Sequence, residues 1–355
     1  MKAAVLEAPN RLAYKEIPDP EPFGERSVLV RVGGVGVCGS DLLRFAHGTA
    51  YHYPLVLGHE FSAVVDEVPD GSRFAPGDKV AVFPLLPREC DPFTQIGEWA
   101  LGAAYDYFGS RRDGAMVERL WVPEDNLVPV PAHVPLVHAA VVEPAAVALH
   151  AVRKLRVPAH GSALVIGAGP IGALAAQWLR ILGWTKVVVA DVDSRKLDVM
   201  RELGFATIDA AAAETVAEAL ARTGGLGVDA AVEASGLPAT FLQCLRATAP
   251  QGQVLVLGDL KDDVTIEREL ISSLIRRELT VLGTWNSKIT PAGRGEWDAV
   301  VEHVAAGTLR VAPLISHTPG LAEVPQVLAD MAARRIWSNK VVFAVADEAR
   351  AEVVS

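Results

Sequence analysis

At 355 residues the chain has room for two or three domains, and a hydrophobic content of 50% is ample for large cores. A formal net charge of −10, with no basic run or basic–aromatic stripe, argues against a nucleic-acid surface, and the richest apolar stretch, residues 139–152, is broken by Glu143 and His150 and does not reach the length of a bilayer span. The apolar run at the amino terminus is too short for a signal peptide and the three cysteines, Cys38, Cys90 and Cys244, make no disulfide framework, so a cytoplasmic location is the default expectation.

Up to about residue 149 the pattern is one of short strands punctuated by glycine and proline, predicted at residues 2–6, 27–32, 62–68, 79–83 and 117–122. That spacing fits an irregular, barrel-like β domain. From about residue 150 to 285 strands and helices alternate. Strands at 164–166, 186–190, 230–233, 254–257 and 280–282 read as a doubly wound α/β sheet of the Rossmann type. Helices around 297–306 and 324–333 and a strand at 340–344 follow, and residues 347–355 show no clear period and read as frayed. The expected division is residues 1–149 with 286–355 as one domain and 150–285 as the other.

The second domain opens on a dinucleotide fingerprint. Gly167, Gly169 and Gly172 have the G-x-G-x-x-G spacing, with Pro170 and Ile171 between the last two, and an apolar strand precedes them. A helix follows with Ile171, Leu174, Trp178, Leu179 and Leu182 on one face, and the next strand delivers Asp191, where a ribose-binding acid is expected. A carboxylate there takes both ribose hydroxyls and repels a 2′-phosphate, which favours NAD over NADP. Arg195 and Lys196 stand close enough to complicate that preference, either as a phosphate partner or as solvated first-turn residues. The bland alternative is an ordinary βαβ unit with a glycine-rich turn.

Three spots in the first domain carry metal-binding chemistry. Cys38 sits on a glycine-flanked turn with Ser40 and Asp41 close behind; His59 and Glu60 follow Gly58; and Glu143 precedes Pro144, which is placed to open a helix. A thiolate, an imidazole and one or two carboxylates suit zinc, and a catalytic zinc site uses three protein ligands and leaves a position open. Taken singly, each has a structural explanation: a buried small side chain, a core histidine, a helix cap.

Together these motifs resemble the zinc-dependent medium-chain dehydrogenase superfamily, in its sorbitol and polyol dehydrogenase branch. The resemblance runs through Cys38-Gly-Ser-Asp, Gly58-His-Glu, Glu143-Pro, the fingerprint at Gly167 and Glu233-Ala-Ser-Gly, and so covers essentially the whole chain. Within the branch, Pro84-Leu-Leu-Pro, the run from Gly109 to Gly114 and Gly283-Thr-Trp look like galactitol-1-phosphate dehydrogenases. The resemblance implies a GroES-like catalytic domain beside the Rossmann domain, and a catalytic zinc on Cys38, His59 and either Glu60 or Glu143. It also implies that Asp41 orients His59 and that Ser40 hydrogen-bonds the reacting oxygen, the structural alternatives being a surface aspartate and a turn-forming hydroxyl. Lys340 could pair with Glu60 or the pyrophosphate, or be a solvated strand lysine. Where many alcohol dehydrogenases carry a relay histidine this chain has Leu43.

Many relatives hold a second, structural zinc on four cysteines, but here Arg88, Asp91, Thr94 and Gly102 fall at those positions and Cys90 has no partner, so one zinc per chain is expected. The lobe that follows would then be stabilised by burying Phe93, Ile96, Trp99, Leu101, Tyr105 and Tyr107, or by folding against a second subunit. The implied reaction is NAD-dependent oxidation of a secondary hydroxyl in a polyol, sugar alcohol (phosphorylated or not) or cyclitol, with a homodimer or homotetramer as the assembly; Arg111 and Arg112 could grip a phosphate, lie at the surface or pair with Asp106 and Asp113, and Trp285 and Asn286 are further candidate substrate contacts. A zinc-free quinone or enone reductase, or a cofactor-binding protein without catalysis, are the competing alternatives.

Overall fold

The computed structural model describes residues 1–22, 24–156, 161–290 and 294–354. The chain forms two compact units, one of Met1–Glu143, Lys288–Gly307 and Ile315–Ser355, the other of Pro144–Ser287 and Thr308–Leu314.

The first unit contains β1 (Lys2–Ala8), β2 (Arg11–Glu16), β3 (Ser27–Gly36), β4 (Leu55–Val56), β5 (Glu60–Glu67), β6 (Lys79–Val82), β7 (Leu85–Pro87), β8 (Tyr105–Tyr107), β9 (Arg119–Pro123) and β10 (Leu127–Val130). Its main sheet runs β10-β6-β5-β3 and continues into β18 (Lys340–Ala344) and β17 (Ile315–His317), so the end of the chain closes the sheet begun at its start. Valine, alanine and phenylalanine fill both faces of β3 and β5, and Val28, Val30, Val35, Phe61, Val65 and Phe343 join one core. β3 and β5 are antiparallel with Gly36 opposite Glu60. Cys38, just past the end of β3, and His59, just before β5, therefore emerge side by side at the same end of neighbouring strands.

The second unit is a six-stranded parallel sheet of β11 (Ser162–Ile166), β12 (Lys186–Asp191), β13 (Ala206–Asp209), β14 (Val228–Glu233), β15 (Thr248–Val256) and β16 (Thr280–Gly283), in the order β13-β12-β11-β14-β15-β16. That order reverses next to β11, the switch point at which doubly wound sheets take a dinucleotide. The sheet reads as near-continuous runs of valine, alanine, isoleucine and leucine because helices cover both its faces.

Two local expectations are corrected. Residues Asp347–Val354 form a helix rather than a frayed tail. Glu348 and Glu352, one turn apart, clamp it: Glu348 accepts from Arg31 at 2.8 Å, and Glu352 takes Lys79 Nζ and the Leu136 N–H, each at 2.6 Å. The apolar period is weak because ion pairs and a capped backbone donor, not a hydrophobic stripe, hold this element.

The lobe after β7 buries only part of the expected set: Trp99, Tyr105 and Tyr107 are half-buried, whereas Phe93, Ile96 and Leu101 are 48%, 63% and 51% exposed. It is tied instead by Asp91, whose carboxylate accepts the N–H groups of Phe93 (2.9 Å), Thr94 (2.8 Å) and Ala103 (2.6 Å). The Thr94 hydroxyl accepts the Asp91 N–H at 2.8 Å, and a Cβ on Gly102 would lie 3.1 Å from Asp91 Oδ2. Three of the four positions at which relatives would place thiolates are thus drawn together by hydrogen bonds. These bonds hold the Asp91 carboxyl below its ordinary range. Asp91→Ala is expected to expose the lobe, with limited proteolysis cutting within residues 88–103 faster than in the parent while the zinc content stays the same. Unchanged cleavage kinetics would show that the lobe does not depend on this carboxylate.

Candidate metal and cofactor sites

Helix α1 (Gly39–His47) begins at Cys38, its extended N-cap, and Asp41 in its first turn reaches back to accept the Cys38 N–H at 3.0 Å. This local loop fixes where the sulfur points. One ligand atom from each of Cys38, His59 and Glu60 lies within 4.8 Å of the other two, and His59 and Glu60 are buried. Among the described residues this is the group of thiol, imidazole and acid donors able to share one ion. Glu143 stands outside it, accepting a hydrogen bond from the Tyr107 hydroxyl at 3.1 Å.

The surroundings fit a cation. His59 Nδ1 faces Asp41 Oδ1 at 3.5 Å, and neither buried atom has a hydrogen bond of its own. Burial opposes charge on His59, but the Asp41 carboxylate and the Cys38 sulfur outweigh it and hold the imidazolium well above its ordinary range; binding a cation requires that proton to leave. Burial works against the Asp41 charge too, and His59, Arg44 and the Cys38 N–H overcome it, keeping the carboxyl low. Glu60 is in close ion contact with Lys340, which also donates to the Val37 carbonyl at 2.9 Å; both side chains are buried. A Cβ on Gly36 would sit 2.2 Å from Glu60 Oε2, so only glycine leaves space for this pair.

Burial, and then the neighbouring Glu60 charge, push Glu143 up to about 7, against pulls from His59, Lys340 and Tyr107. The folded state therefore binds a proton at Glu143 more tightly than the unfolded chain does. The sign is a stabilisation present below the ordinary glutamate pKa and lost as pH rises through about 7. In chelator-treated protein, urea midpoints are expected to fall between pH 5 and pH 8, and Glu143→Gln to flatten part of that fall. Identical slopes for parent and variant would contradict it. His59 acts in the same direction, so the difference between the two proteins isolates Glu143.

In the second unit, the fingerprint turn leads into helix α2 (Pro170–Ile181), with Gly169 as N-cap and Pro170 and Ile171 as its first residues. Gly167 takes φ +109°, and a Cβ on Gly172 would lie 1.8 Å from the Gly167 carbonyl oxygen, whereas nothing lies within 4 Å of one on Gly169. The turn is packed where helix meets strand and open where a pyrophosphate would approach. Asp191, at the end of β12, accepts the Ala168 N–H at 2.6 Å and the Asp193 N–H at 2.8 Å, which holds its carboxylate at the turn. Arg195 is paired with Asp193 at 3.1 Å.

Of the candidate substrate contacts, Arg111 donates to the Tyr105 carbonyl at 2.9 Å and lies over the rings of Tyr51 and Tyr105, while Arg112 pairs with Asp106 at 3.6 Å. Both guanidinium groups are thus committed within the first unit. Trp285 and Asn286 fall in the second unit just past β16; Trp285 is 55% exposed, and Asn286 Oδ1 accepts the Ser287 N–H at 2.8 Å. The sequence assigned no site role to Tyr107, which it placed only in the lobe, to Gly36, or to Arg44, whose NH1 donates to Ser40 Oγ at 2.9 Å. The spacing of Ser40 and Arg44 by one helical turn was the available signal for the last of these.

A doubly wound dinucleotide fold and, in the other unit, a thiol–imidazole–carboxylate group are the parts of a metal-dependent dehydrogenase. Residues 170–306 match the family described as zinc-binding dehydrogenase, and residues 24–132 match the alcohol dehydrogenase GroES-like domain. The galactitol 1-phosphate 5-dehydrogenase of Escherichia coli (strain K12) is 31% identical over 345 residues, covering 97% of this chain and 99% of that one. A crystal structure of galactitol-1-phosphate dehydrogenase from Escherichia coli matches with a TM-score of 0.89 at 30% identity, over 97% of this chain and 100% of the other. Sorbitol dehydrogenase of Bos taurus is 29% identical over 88% of each chain. A zinc-binding dehydrogenase from Sinorhizobium meliloti 1021, solved bound to NADP, matches with a TM-score of 0.87 at 30% identity, over 97% of this chain and 98% of the other. The chain belongs to the zinc-binding medium-chain dehydrogenases, in the branch of the alcohol and polyol dehydrogenases. No helix among the described residues is long and apolar enough to cross a membrane.

Proposed function

We propose that this enzyme binds one zinc through Cys38, His59 and Glu60 and uses NAD to oxidise a secondary hydroxyl of a polyol, sugar alcohol or cyclitol to a ketone. The observation that carries the proposal is the convergence of those three donors within 4.8 Å. Zinc, when bound, would supply Lewis-acid polarisation of a substrate oxygen, and NAD would supply a hydride acceptor. Asp41 Oδ1, facing His59 Nδ1 at 3.5 Å, orients the ring so that its other nitrogen is the one available to a metal. Lys340, buried in ion contact with Glu60, supplies that carboxylate with its countercharge. Glu143, close enough to Glu60 to feel its charge and hydrogen-bonded to Tyr107, is the group available to hold a proton near neutral pH or to exchange with Glu60 at the metal.

The Asp191 carboxylate at the turn and the engagement of Arg195 by Asp193 support NAD over NADP. Arg111 and Arg112 already have partners, so neither argues for a phosphorylated substrate. A cytoplasmic enzyme acting as a homodimer or homotetramer is part of the same proposal, with β16, the edge strand of the second unit's sheet, offered for pairing. Light scattering that returned a monomer would remove that part. The test of function is a panel of sugar alcohols, their phosphates and cyclitols assayed by NADH absorbance, with NADP in place of NAD as a second arm. Turnover of at least one polyol with NAD, abolished by a zinc chelator while NAD binding persists, is expected. No turnover of any member by the zinc-loaded protein would favour a cofactor-binding protein without catalysis.

A further inference from the structure

We propose that Arg44 is a positioning residue for this reaction, fixing the Ser40 hydroxyl as a hydrogen-bond donor and holding the buried Asp41 carboxylate against His59. The proposal rests on the dehydrogenase reading above. Arg44 follows Ser40 and Asp41 by one turn of α1, and its side chain is 15% exposed. Its NH1 donates to Ser40 Oγ at 2.9 Å and lies 3.5 Å from Asp41 Oδ1, the same oxygen that faces His59 Nδ1 at 3.5 Å. The other Asp41 oxygen takes the Cys38 N–H. One guanidinium and one carboxylate therefore connect the hydroxyl, the imidazole and the backbone of the thiol residue.

Two consequences follow from elementary chemistry. A guanidinium has only donors, so its bond to Ser40 occupies a lone pair of Oγ and turns the hydroxyl hydrogen away from Arg44. Ser40 is thereby set to donate to an oxygen that gathers negative charge, the service that preorganised donors perform in active sites. Leu43 offers no proton carrier, and a guanidinium presents only donors, so this turn of α1 polarises rather than relays. The second consequence concerns Asp41. Its carboxylate is fully buried, and the Arg44 guanidinium 3.5 Å from Oδ1 is a countercharge that its removal would take away from a buried acid. Arg44 Nε is itself buried without a hydrogen bond, so the group is not held by a full set of its own contacts. An ordinary helix-surface pair would have its donors in solvent.

The test uses the zinc-loaded full chain with Arg44→Met, Arg44→Lys, Ser40→Ala and the Ser40→Ala/Arg44→Met double variant. Arg44→Met is expected to lower kcat for a polyol that the parent turns over by about 10- to 100-fold, the range typical of residues that orient metal ligands, with little change in KM. Zinc should pass to a competing chelator about tenfold faster or more. Arg44→Lys, which keeps the charge and one donor, should recover part of both losses, and the step from Ser40→Ala to the double variant should be clearly smaller than the step from the parent to Arg44→Met, the Ser40 share having already been lost. Parent-like kcat and parent-like zinc release in Arg44→Met would overturn the proposal, as would kcat losses that simply add in the double variant. Should Arg44→Met fail to fold, Arg44→Lys carries the same comparison, and parent values in it for kcat and zinc release beside an unfolded Arg44→Met would assign the residue to stability alone. If the parent turned over no polyol the dehydrogenase reading would fail, and zinc release would still decide the role of Arg44 at Asp41 and His59.

Discussion

Cys38→Ser is expected to lose its zinc and, with it, polyol oxidation, by on the order of 10³-fold in kcat or more, the scale seen when one preorganised charge-stabilising group is taken from an active site. The substitution is chemically narrow. Cys38 is the N-cap of α1 with extended backbone angles, and serine is among the best residues at an N-cap, so the helix that carries Ser40, Asp41 and Arg44 keeps its start. What changes is the donor: a thiol that ionises readily on a metal becomes a hydroxyl that does not. The fingerprint from Gly167 to Gly172 belongs to the other unit and shares no residue with the metal group. NAD binding, followed by calorimetry, is therefore expected to persist in Cys38→Ser. Zinc retained at parental levels with kcat unchanged would mean that the sulfur is not a ligand.

The second large effect is expected at Gly172, and a neighbouring glycine supplies its control. A Cβ on Gly172 would come 1.8 Å from the carbonyl oxygen of Gly167 and 3.0 Å from its carbon, atoms of a turn that cannot swing aside as a side chain can. Overpacking a well-filled site costs about 1–3 kcal/mol and sometimes more, and a collision with fixed backbone belongs at the upper end. Gly172→Ala should therefore unfold at clearly lower urea and, because the turn that cradles the cofactor must shift, bind NAD on the order of 100-fold more weakly. Gly169 has φ −64° and ψ 176°, angles open to any residue, and a Cβ there meets nothing within 4 Å. Gly169→Ala should keep the parental unfolding midpoint and still lose NAD affinity, since the added methyl stands where the pyrophosphate approaches. Equal stability losses in the two variants, or full NAD affinity in both, would contradict this account of the turn.

Much of this arrangement is legible in the chain because it follows from periodicity. β11 and β12 carry unbroken apolar runs, the glycines between them have the fingerprint spacing, and the acid ends the second strand, so the strand–turn–helix–strand unit around Gly167 and Asp191 could be placed by local rules alone. The return strand predicted at residues 340–344 coincides with β18 because a β-prone run of valine and phenylalanine follows the polar Ser338-Asn339. Strand register is less accessible. That Gly36 stands opposite Glu60, which brings Cys38 and His59 together, is a property of the paired strands and of no single segment. The same limit hid the choice between the two glutamates: Glu60 shares the donor group with Cys38 and His59, while Glu143 is turned to Tyr107, a residue distant in sequence. The carboxy-terminal helix and the lobe after β7 were missed for a different reason. Glu352 and Asp91 hold them through hydrogen bonds to backbone donors and, for Glu352, an ion pair with Lys79; such contacts leave no hydrophobic pattern to read.

The most direct check on the central claim, a single cation held by Cys38, His59 and an acid, is the zinc content per chain of the purified protein, measured by elemental analysis against protein concentration. One zinc per chain, lost in Cys38→Ser and in His59→Ala but kept in Asp91→Ala, is the predicted result. A second zinc, or one that survives removal of both the thiol and the imidazole, would contradict it.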